Sequence, residues 1–322
     1  MVTSPTVDSQ PGGAPRLQWE AEQPVPAPLA AELIGQQFPR LRSARVELLA
    51  TGWDNTVYLV DGEWVFRFPR REIALPGIQR EIAILPLLAP HLPLPVPVPE
   101  LVGMPSGGYP WPYWGARLVP GTELAEAGLP DGERARAGAS VGAFLRALHD
   151  PGLVAVAGQA GLQLPEDPMR RAYPRVRAER AREVLERLAR SADWAPDPAI
   201  ERLFGTADRL GPPAGPAVIV HGDLHLRHLL VGAGGDASGV IDWGDLCLAD
   251  PAVDLSLAYC GFAGPARAAL LAAYGPVGAE RELRARACAV SLCVSLAEYA
   301  ISDGRATLLR ETLAALGRAV SG

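Results

Sequence analysis

The sequence lacks long apolar segments and has few cysteines, and each absence narrows what the protein can be. No apolar run reaches the roughly 18 to 20 residues that a membrane-spanning helix needs, so we predict no membrane association. The first fifteen residues have neither a basic start nor an apolar core, which is unlike a signal peptide. The four cysteines, Cys247, Cys260, Cys288 and Cys293, show no C-x-x-C spacing. We therefore predict reduced, buried thiols in a cytoplasmic protein.

An excess of positive charge is also absent, which disfavours a nucleic-acid partner. The 322 residues include 30 lysine and arginine against 36 acidic residues, a formal net charge of −6, whereas binding to phosphates selects the opposite sign. Hydrophobic residues make up 48% and charged residues 20% of the chain, as in soluble globular proteins. The length allows one large or two modest domains with substantial cores.

Histidines and aspartates concentrate in Val218–Leu255, which contains three of the five histidines. The tripeptide His-Gly-Asp, ending at Asp223, follows a short apolar run, and a glycine-rich turn at 232–235 separates two further runs. Short apolar runs joined by such a turn predict a β-hairpin. Asp223 would lie in the loop before the hairpin and Asp242 at the end of its second strand, so the two carboxylates could face one site.

A pair of carboxylates in this arrangement suits phosphoryl transfer, which depends on positioning and on neutralising charge. One carboxylate could orient the proton of a hydroxyl nucleophile, and the other could hold Mg²⁺ against the phosphates of a nucleotide. A further metal ligand is expected about one short turn after Asp223 on the same loop, and His228 occupies that position.

Three spaced elements of this stretch resemble the signature of the aminoglycoside phosphotransferase family. They are HGDLHLRHLLV at 221–231, GVIDWGD at 239–245 and ADPAVDL at 249–255. The family comprises antibiotic and small-molecule kinases that share the protein-kinase fold. The resemblance implies an α+β, bilobal, protein-kinase-like fold, with a small antiparallel β-sheet N-lobe and a mainly helical C-lobe that carries catalytic β-hairpins.

The resemblance also implies roles for individual residues. The catalytic aspartate of the family falls on Asp223 and its Mg²⁺-binding aspartate on Asp242. Its usual asparagine falls on His228, a departure that is similar to macrolide kinases and some aminoglycoside 2″-kinases. A neutral imidazole can still ligate a divalent cation, although Mg²⁺ prefers oxygen. Asp254 matches an aspartate that pins the catalytic region, and we expect it, like His221, to be structural.

The chain is predicted to divide into three parts. Residues 1–27 are rich in Pro, Gly, Ser and Gln, which is typical of a mobile tail. Residues 28–119 are expected to form the nucleotide-binding N-lobe, beginning with a helix near Pro28. Residues 120–322 are expected to form the C-lobe, with catalysis and acceptor binding.

Three strands are predicted within 44–70, with a glycine turn between the first two and the hairpin signal Asp61-Gly62 between the last two. The glycine turn could lay backbone N–H groups over nucleotide phosphates, although many ordinary hairpins contain glycine. The residues expected to bind the nucleotide there are Gly52, Trp53, Asp54, Asn55 and Thr56.

Further nucleotide contacts follow from the resemblance. The family carries a cation on the third strand that pairs with a glutamate on the next helix, and Arg67 lies where many relatives have Lys. Glu81 is the expected partner and Glu72 the alternative, while Arg67 could instead be an ordinary solvated cation on a strand face. The purine-binding hinge is expected, within one or two residues, at Arg117, Leu118 and Val119.

Candidate acceptor-binding residues come from two regions. His225 and Arg227 could approach the transferring phosphate, and Asp245 could either line the acceptor pocket or cap the next helix with Asp250. The resemblance adds two residues of a late helix, Glu298 and Tyr299.

An arginine-rich helical segment at 165–210 permits two interpretations. It is either a solvated, ion-paired helix face or part of the acceptor wall. In the second case it would suit a neutral or acidic acceptor better than a polycationic aminoglycoside.

The pattern favours a cytoplasmic kinase that transfers the γ-phosphate of ATP or GTP, with Mg²⁺, to a hydroxyl of an antibiotic. That acceptor could be an aminoglycoside, a macrolide or another sugar- or nucleoside-containing antibiotic, which phosphorylation would inactivate. The alternatives are a kinase of a primary metabolite such as choline, homoserine or a sugar, and a non-catalytic nucleotide-binding module. We expect a monomer or weak dimer with no nucleic-acid or membrane partner.

Overall fold

Five β-strands form the sheet of the first of two structural units. In the computed structural model, which describes residues 21–190 and 194–321, this unit contains the residues up to Leu75 and the segment Val102–Gly115. Its sheet has the strand order β1-β2-β3-β5-β4, and β1, β2 and β3 pair antiparallel. The strands are β1 Val46–Thr51, β2 Asn55–Val60, β3 Trp64–Pro69, β4 Leu101–Gly103 and β5 Tyr113–Arg117, preceded by helix α1 Ala27–Gln37.

Aromatic side chains from β2, β3 and β5 fill the core of this unit. In β2, buried Tyr58 and Val60 alternate with half-buried residues, the two-residue period of a strand with one packed face. Phe68 of β3 stacks on Tyr113 of β5 with ring centroids 4.4 Å apart. Gly103 is required beside them, because a Cβ at that position would lie 2.1 Å from the Tyr113 ring.

The predicted mobile tail, residues 1–27, overlaps the packed chain at its end. Residues 1–20 lie outside the described residues. Val25 is buried, and its carbonyl accepts a hydrogen bond from the Tyr58 hydroxyl at 2.6 Å. The packed part therefore begins before residue 28, because a buried side chain and a backbone acceptor fix this segment to β2. The other predicted domain boundaries stay predictions.

Helices dominate the second unit, which contains Pro76–Leu101 and the chain from Ala116 onward. The helices are α2 Leu75–Leu88, α3 Ala135–Leu148, α4 Pro151–Gln159, α5 Pro174–Arg190, α6 Pro198–Ala207, α7 Ala252–Cys260, α8 Gly264–Tyr274, α9 Ala279–Ser302 and α10 Ala306–Val320. Short 3₁₀ turns in the chain lie at Pro39–Leu41, Glu72–Ala74, Ala89–His91 and Asp131–Glu133.

Short strands of the second unit form two small sheets, β6-β8-β9 and β7-β10. The strands are β6 Thr122–Glu123, β7 Val218–Val220, β8 Leu229–Val231, β9 Ala237–Val240 and β10 Cys247–Ala249. The predicted hairpin is present as β8–β9, in which Leu229 pairs with Val240. The pairing of β7 with β10 was not predicted. It ties the strand before Asp223 to the segment after Asp242.

The long helix α9 lies in the core of this unit and packs against α5, α7 and α10. All four cysteines are free and buried, and burial raises the pKa of Cys247 and of Cys288 to about 12. The prediction of reduced, buried thiols is therefore confirmed.

Two helical segments of the described chain satisfy the length and composition of a membrane span, Glu72–His91 and Ala279–Ser302. The sequence-based search for a long uninterrupted apolar run missed both. The criterion is weak evidence, because the core helices of water-soluble proteins also satisfy it. The absence of a membrane partner stays a prediction.

Candidate active site

The loop that follows β7 is held from behind by a buried carboxylate. Asp254, in the first turn of α7, accepts hydrogen bonds from the backbone N–H of His221 at 2.7 Å and of Gly222 at 3.0 Å. The same carboxylate lies 3.2 Å from His149 Nε2. Burial would raise the pKa of Asp254, but its hydrogen bonds and charge interactions with His149 and His221 outweigh burial and lower the pKa. The structural role predicted for Asp254 agrees with this geometry.

Two further features fix the direction of the loop. Gly222 has φ +88°, and a Cβ there would lie 2.2 Å from the carbonyl oxygen of Asp245, so only glycine fits without strain. His221 Nδ1 accepts the N–H of Asp223 at 3.2 Å, and its Nε2 donates to the carbonyl of Ile241 at 3.0 Å. Both ring nitrogens are therefore occupied, and burial lowers the pKa of His221. These contacts agree with the structural role predicted for His221.

The structure brings together Asp223, His228 and Asp242. His228 Nδ1 lies 2.8 Å from the backbone carbonyl of Asp223, and since a carbonyl only accepts, Nδ1 carries the proton. In the neutral ring the lone pair therefore lies on Nε2, which is 3.5 Å from Asp242 Oδ2. The Asp223 Oδ2 atom lies 3.9 Å from His228 Nδ1. The loop thus orients the His228 ring as a ligand through a bond of its own backbone.

Asp242 adopts a conformation that non-glycine residues rarely take. Its φ is +67°, in the left-handed region where a side chain is strained, and the side chain is 45% exposed. The next residue is fixed, because the Trp243 N–H donates to Glu81 Oε1 at 3.1 Å. Arg80 Nη2 donates a hydrogen bond to the Gly244 carbonyl at 2.7 Å. Buried Glu81 therefore supports the turn that presents Asp242.

His225 lies against the other side of the His228 ring, with centroids 3.8 Å apart. Its Nδ1 accepts the N–H of Arg227 at 3.3 Å, so the protonated Nε2 faces Asp223 Oδ2 at 3.5 Å. Burial, with a smaller contribution from the charge of Arg227, lowers the pKa of His225 well below its ordinary value. The neutral ring therefore offers Asp223 a proton donor.

The donor atoms of this site fit a divalent cation. Asp223, His225 and His228 each offer a ligand atom within 4.8 Å of the others, but the Nε2 of His225 already carries a proton. His228 Nε2 and Asp242 Oδ2 remain, 3.5 Å apart, near the roughly 3 Å that separates adjacent ligands of an octahedral ion at about 2.1 Å. A nitrogen and carboxylate oxygens form a donor set suited to Mg²⁺ or Mn²⁺, and the nitrogen favours the latter.

Sequence reasoning missed Arg171. Its Nη2 atom lies 3.0 Å from Asp223 Oδ1 and 2.7 Å from Asp245 Oδ2. Burial alone would lower the pKa of Arg171, but the two carboxylates outweigh burial and raise it. Asp245 therefore lies at the site, and the helix-capping alternative belongs to Asp250, whose Oδ1 accepts the N–H of Ala252 at 2.8 Å.

The other predicted acceptor residues lie in an ion-paired network. Arg227 contacts Glu123 at 3.3 Å and stacks over the Tyr299 ring at 5.0 Å. Glu298 pairs with Arg180 at 3.0 Å and with Arg187. Of the two interpretations of the arginine-rich segment, these pairs match the ion-paired helix face.

The predicted nucleotide-binding turn joins β1 to β2. The Gly52 N–H donates to the Asn55 carbonyl at 2.9 Å, and Asp54 pairs with Arg71. Trp53 is 61% exposed, and Thr56 is buried. These contacts close the turn, and its role in nucleotide binding stays a prediction.

Arg67 and the predicted hinge complete the set of nucleotide candidates. Arg67 is 8% exposed, with its guanidinium 5.5 Å from the centre of the Trp114 ring. The alternative of a solvated strand-face cation is therefore wrong. Arg117 ends β5, and Leu118 is half-exposed whereas Val119 is buried. Their contact with a purine stays a prediction.

Comparison with known proteins places this geometry in context. The family model described as "Phosphotransferase enzyme family" matches residues 45–287. Among solved structures, the GDP and kanamycin complex of APH(2″)-IIia is 24% identical with a TM-score of 0.63, covering 90% of this chain and 97% of that chain. Macrolide 2′-phosphotransferase type I is 21% identical with a TM-score of 0.56, covering 91% and 98%. These likenesses confirm the predicted kinase-like fold.

The chain is also similar to a curated protein whose name gives no activity. This relative is the uncharacterized protein YcbJ of Bacillus subtilis (strain 168), which is 26% identical over 284 residues. The match covers 78% of this chain and 82% of the relative.

Proposed function

The chain belongs to the phosphotransferase enzyme family, and from this premise we propose that it transfers the γ-phosphate of ATP or GTP to a hydroxyl of a small molecule. The observation that carries the proposal is the meeting of Asp223, His228 and Asp242 in one site. A base, a carboxylate ligand and an imidazole ligand are the parts that positioning-dependent phosphoryl transfer requires.

In this proposal Asp223 orients the acceptor hydroxyl and takes up its proton. Arg171 fixes Oδ1 from one side, and the Nε2–H of His225 faces Oδ2 from the other. Both neighbours restrict the rotation of this carboxylate, and a base held in place removes orientation entropy from the transfer step.

His228 and Asp242 would hold the metal. When bound, Mg²⁺ would neutralise charge on the nucleotide phosphates. The backbone carbonyl of Asp223 keeps a proton on Nδ1 of His228, so the lone pair of the neutral ring lies on Nε2, the proposed ligating atom. Glu81 and Arg80 brace the turn that holds Asp242.

The proposed donor is a nucleoside triphosphate, and its candidate contacts are the turn Gly52–Thr56, Arg67 and, separately, the predicted hinge at 117–119. The similar structure of APH(2″)-IIia, a complex with GDP and kanamycin, supports a nucleotide as the donor. It does not distinguish ATP from GTP for this chain.

The acceptor is proposed to be an antibiotic, with inactivation as the result. Support comes from the structural neighbours, which include proteins named as aminoglycoside and macrolide phosphotransferases. A non-catalytic binding module is the less favoured alternative, because both aspartates are present and His228 is oriented as a ligand.

The test is a panel of hydroxyl-bearing antibiotics and metabolites incubated with γ-labelled ATP or GTP. Wild-type protein should label an acceptor, and Asp223→Asn should reduce labelling at least about 10³-fold while nucleotide affinity changes little. Asp236→Asn is the matched control, because that carboxylate is 57% exposed on the β8–β9 turn. Unchanged labelling in the Asp223 variant would remove the proposed mechanism.

A further inference from the structure

The contact between Arg171 and Asp223 places a fixed positive charge beside the proposed base. The side chain of Arg171 is 13% exposed and bridges Asp223 and Asp245 through one nitrogen. A guanidinium is always charged, so this charge persists at every working pH. Any acceptor hydroxyl that reaches Asp223 must approach this cation.

Hydrogen bonds of the loop around Arg171 fix the position of this residue. Asp167 accepts the backbone N–H of Arg171 at 2.7 Å and of Ala172 at 2.9 Å. Asp167 and Arg170 both have positive φ, +31° and +50°, a strained conformation for side chains other than glycine. The N–H of Asp167 is tied to the Leu248 carbonyl of β10 at 2.9 Å. The position of Arg171 is therefore set by the backbone.

Four carboxylates that could bind the ammonium groups of a cationic acceptor already form ion pairs with arginines. The relevant pairs are Asp245 with Arg171 at 2.7 Å, Glu298 with Arg180 at 3.0 Å, Glu123 with Arg305 at 3.1 Å and Glu126 with Arg305 at 2.7 Å. The chain contains no lysine, so each partner is a guanidinium. An ammonium group would have to displace one of them, which costs the charge-assisted hydrogen bonds of the existing pair.

A second guanidinium group, that of Arg177, lies close enough to Arg171 for the two charges to interact. Arg177 has a buried Nε without a hydrogen-bond partner, and among the described residues no carboxylate lies within ion-pair distance of it. Burial, and then the charge of Arg171, lower the pKa of Arg177. Arg177 thus adds a second positive charge to this region, while Arg171 makes the contacts to Asp223 and Asp245.

We propose that Arg171 is a specificity-determining residue that directs the enzyme to hydroxyl acceptors of neutral or acidic character and excludes polycationic aminoglycosides. This role rests on the proposed transfer of phosphate to a hydroxyl. It narrows the antibiotic class, because kanamycin-like compounds carry several ammonium groups and need unpaired carboxylates. Arg171 also positions the base by holding Asp223 Oδ1.

The experiment measures kanamycin binding by calorimetry at low salt for wild type and for Arg171→Gln, Arg171→Lys and Arg175→Gln. Arg175 is exposed near the start of α5 and provides the same change of charge away from Asp223. Wild type and Arg171→Lys should bind kanamycin weakly. Arg171→Gln should bind it at least about tenfold more tightly, because Asp223 and Asp245 become available.

Equal effects of Arg171→Gln and Arg175→Gln, or tight kanamycin binding by wild type, would overturn the proposal. Thermal melts confirm that each variant is folded. Acceptor labelling is measured in parallel, with kanamycin against neutral and acidic acceptors. If wild type labels nothing at all, the proposed transfer fails, while the kanamycin comparison still tests Arg171 alone.

Discussion

At the scale of single residues, backbone contacts decide what the site histidines can do. The N–H groups of Asp223 and Arg227 occupy the Nδ1 atoms of His221 and His225, whereas a carbonyl occupies Nδ1 of His228. Among the three neutral rings of this stretch, only that of His228 therefore has its lone pair on Nε2. Three histidines within eight residues thus receive different roles from the loop conformation.

Exchanging His228 for the usual asparagine of the family should change metal preference. The wild-type imidazole favours Mn²⁺ over Mg²⁺ more than an amide oxygen does. His228→Asn should therefore lower the ratio of Mg²⁺ to Mn²⁺ concentration required for half-maximal labelling, and His228→Ala should raise both requirements about 10-fold or more. Metal titrations of labelled product measure these ratios, and identical titrations in all three proteins would contradict the assignment.

Gly222 provides a second residue-scale prediction. Gly222→Ala introduces a Cβ 2.2 Å from the Asp245 carbonyl at φ +88°. The free energy of unfolding should fall by about 1 to 3 kcal/mol, measured by urea denaturation. Gly205→Ala in α6, where a Cβ meets nothing within 4 Å, should be neutral or slightly stabilising. Equal effects of both changes would show that the loop is not constrained at Gly222.

The sequence predicted the positions of site residues that lie close to one another along the chain. Asp223, His228 and Asp242 follow from the loop and hairpin pattern because a few residues separate them from paired strands. Arg171 lies 52 positions before Asp223 and was one of many arginines in its segment. Asp167 could have pointed to Arg171, because its carboxylate accepts backbone N–H groups of that loop. The loop is brought to the site, however, by the hydrogen bond of Asp167 to β10, which the sequence does not indicate.

At the scale of elements, the conformation of the loop that follows β7 depends on the start of α7. Asp254 satisfies two backbone donors of the loop and contacts His149. Because the short strands β7 and β10 form few hydrogen bonds, the bonds to the Asp254 carboxylate contribute much of the stability of the loop conformation. The sequence indicated the hairpin β8–β9 through its glycine turn, whereas β10 has only three residues and no turn signal.

Removing the Asp254 carboxylate should therefore destabilise the fold. Asp254→Ala leaves two buried N–H groups unpaired, at about 1 to 3 kcal/mol each, so the free energy of unfolding should fall by about 3 kcal/mol. Urea denaturation at neutral pH measures the change. Asp236→Ala, at the exposed β8–β9 turn, should shift it by less than about 0.5 kcal/mol. A loss as small as the control would contradict the anchoring role.

At the scale of the whole molecule, the alternation of apolar runs and the signature stretch were sufficient to predict a sheet unit followed by a helical unit. The contacts that the sequence could not supply join distant parts of one unit. Glu81 of α2, for example, meets the backbone of Trp243, 162 positions away. Such pairings depend on packing, which residue spacing along the chain does not encode.

Nucleotide binding should be visible as a change in global stability. A ligand at a hundred times its dissociation constant stabilises the folded state by about 2.7 kcal/mol. ATP or GTP with Mg²⁺ should therefore raise the melting temperature, and Asp242→Asn should remove the part of the shift that depends on the metal. If the metal-dependent rise in melting temperature were unchanged in Asp242→Asn, Asp242 would not be a metal ligand.

Pulsed electron paramagnetic resonance of Mn²⁺ bound with nucleotide identifies the metal ligands directly. A metal held by His228 and Asp242 should show nitrogen coupling from one imidazole, retained in His225→Ala and lost in His228→Ala. Absence of nitrogen coupling in wild type, or its loss in His225→Ala with retention in His228→Ala, would contradict a metal held by His228 and Asp242 beside Asp223.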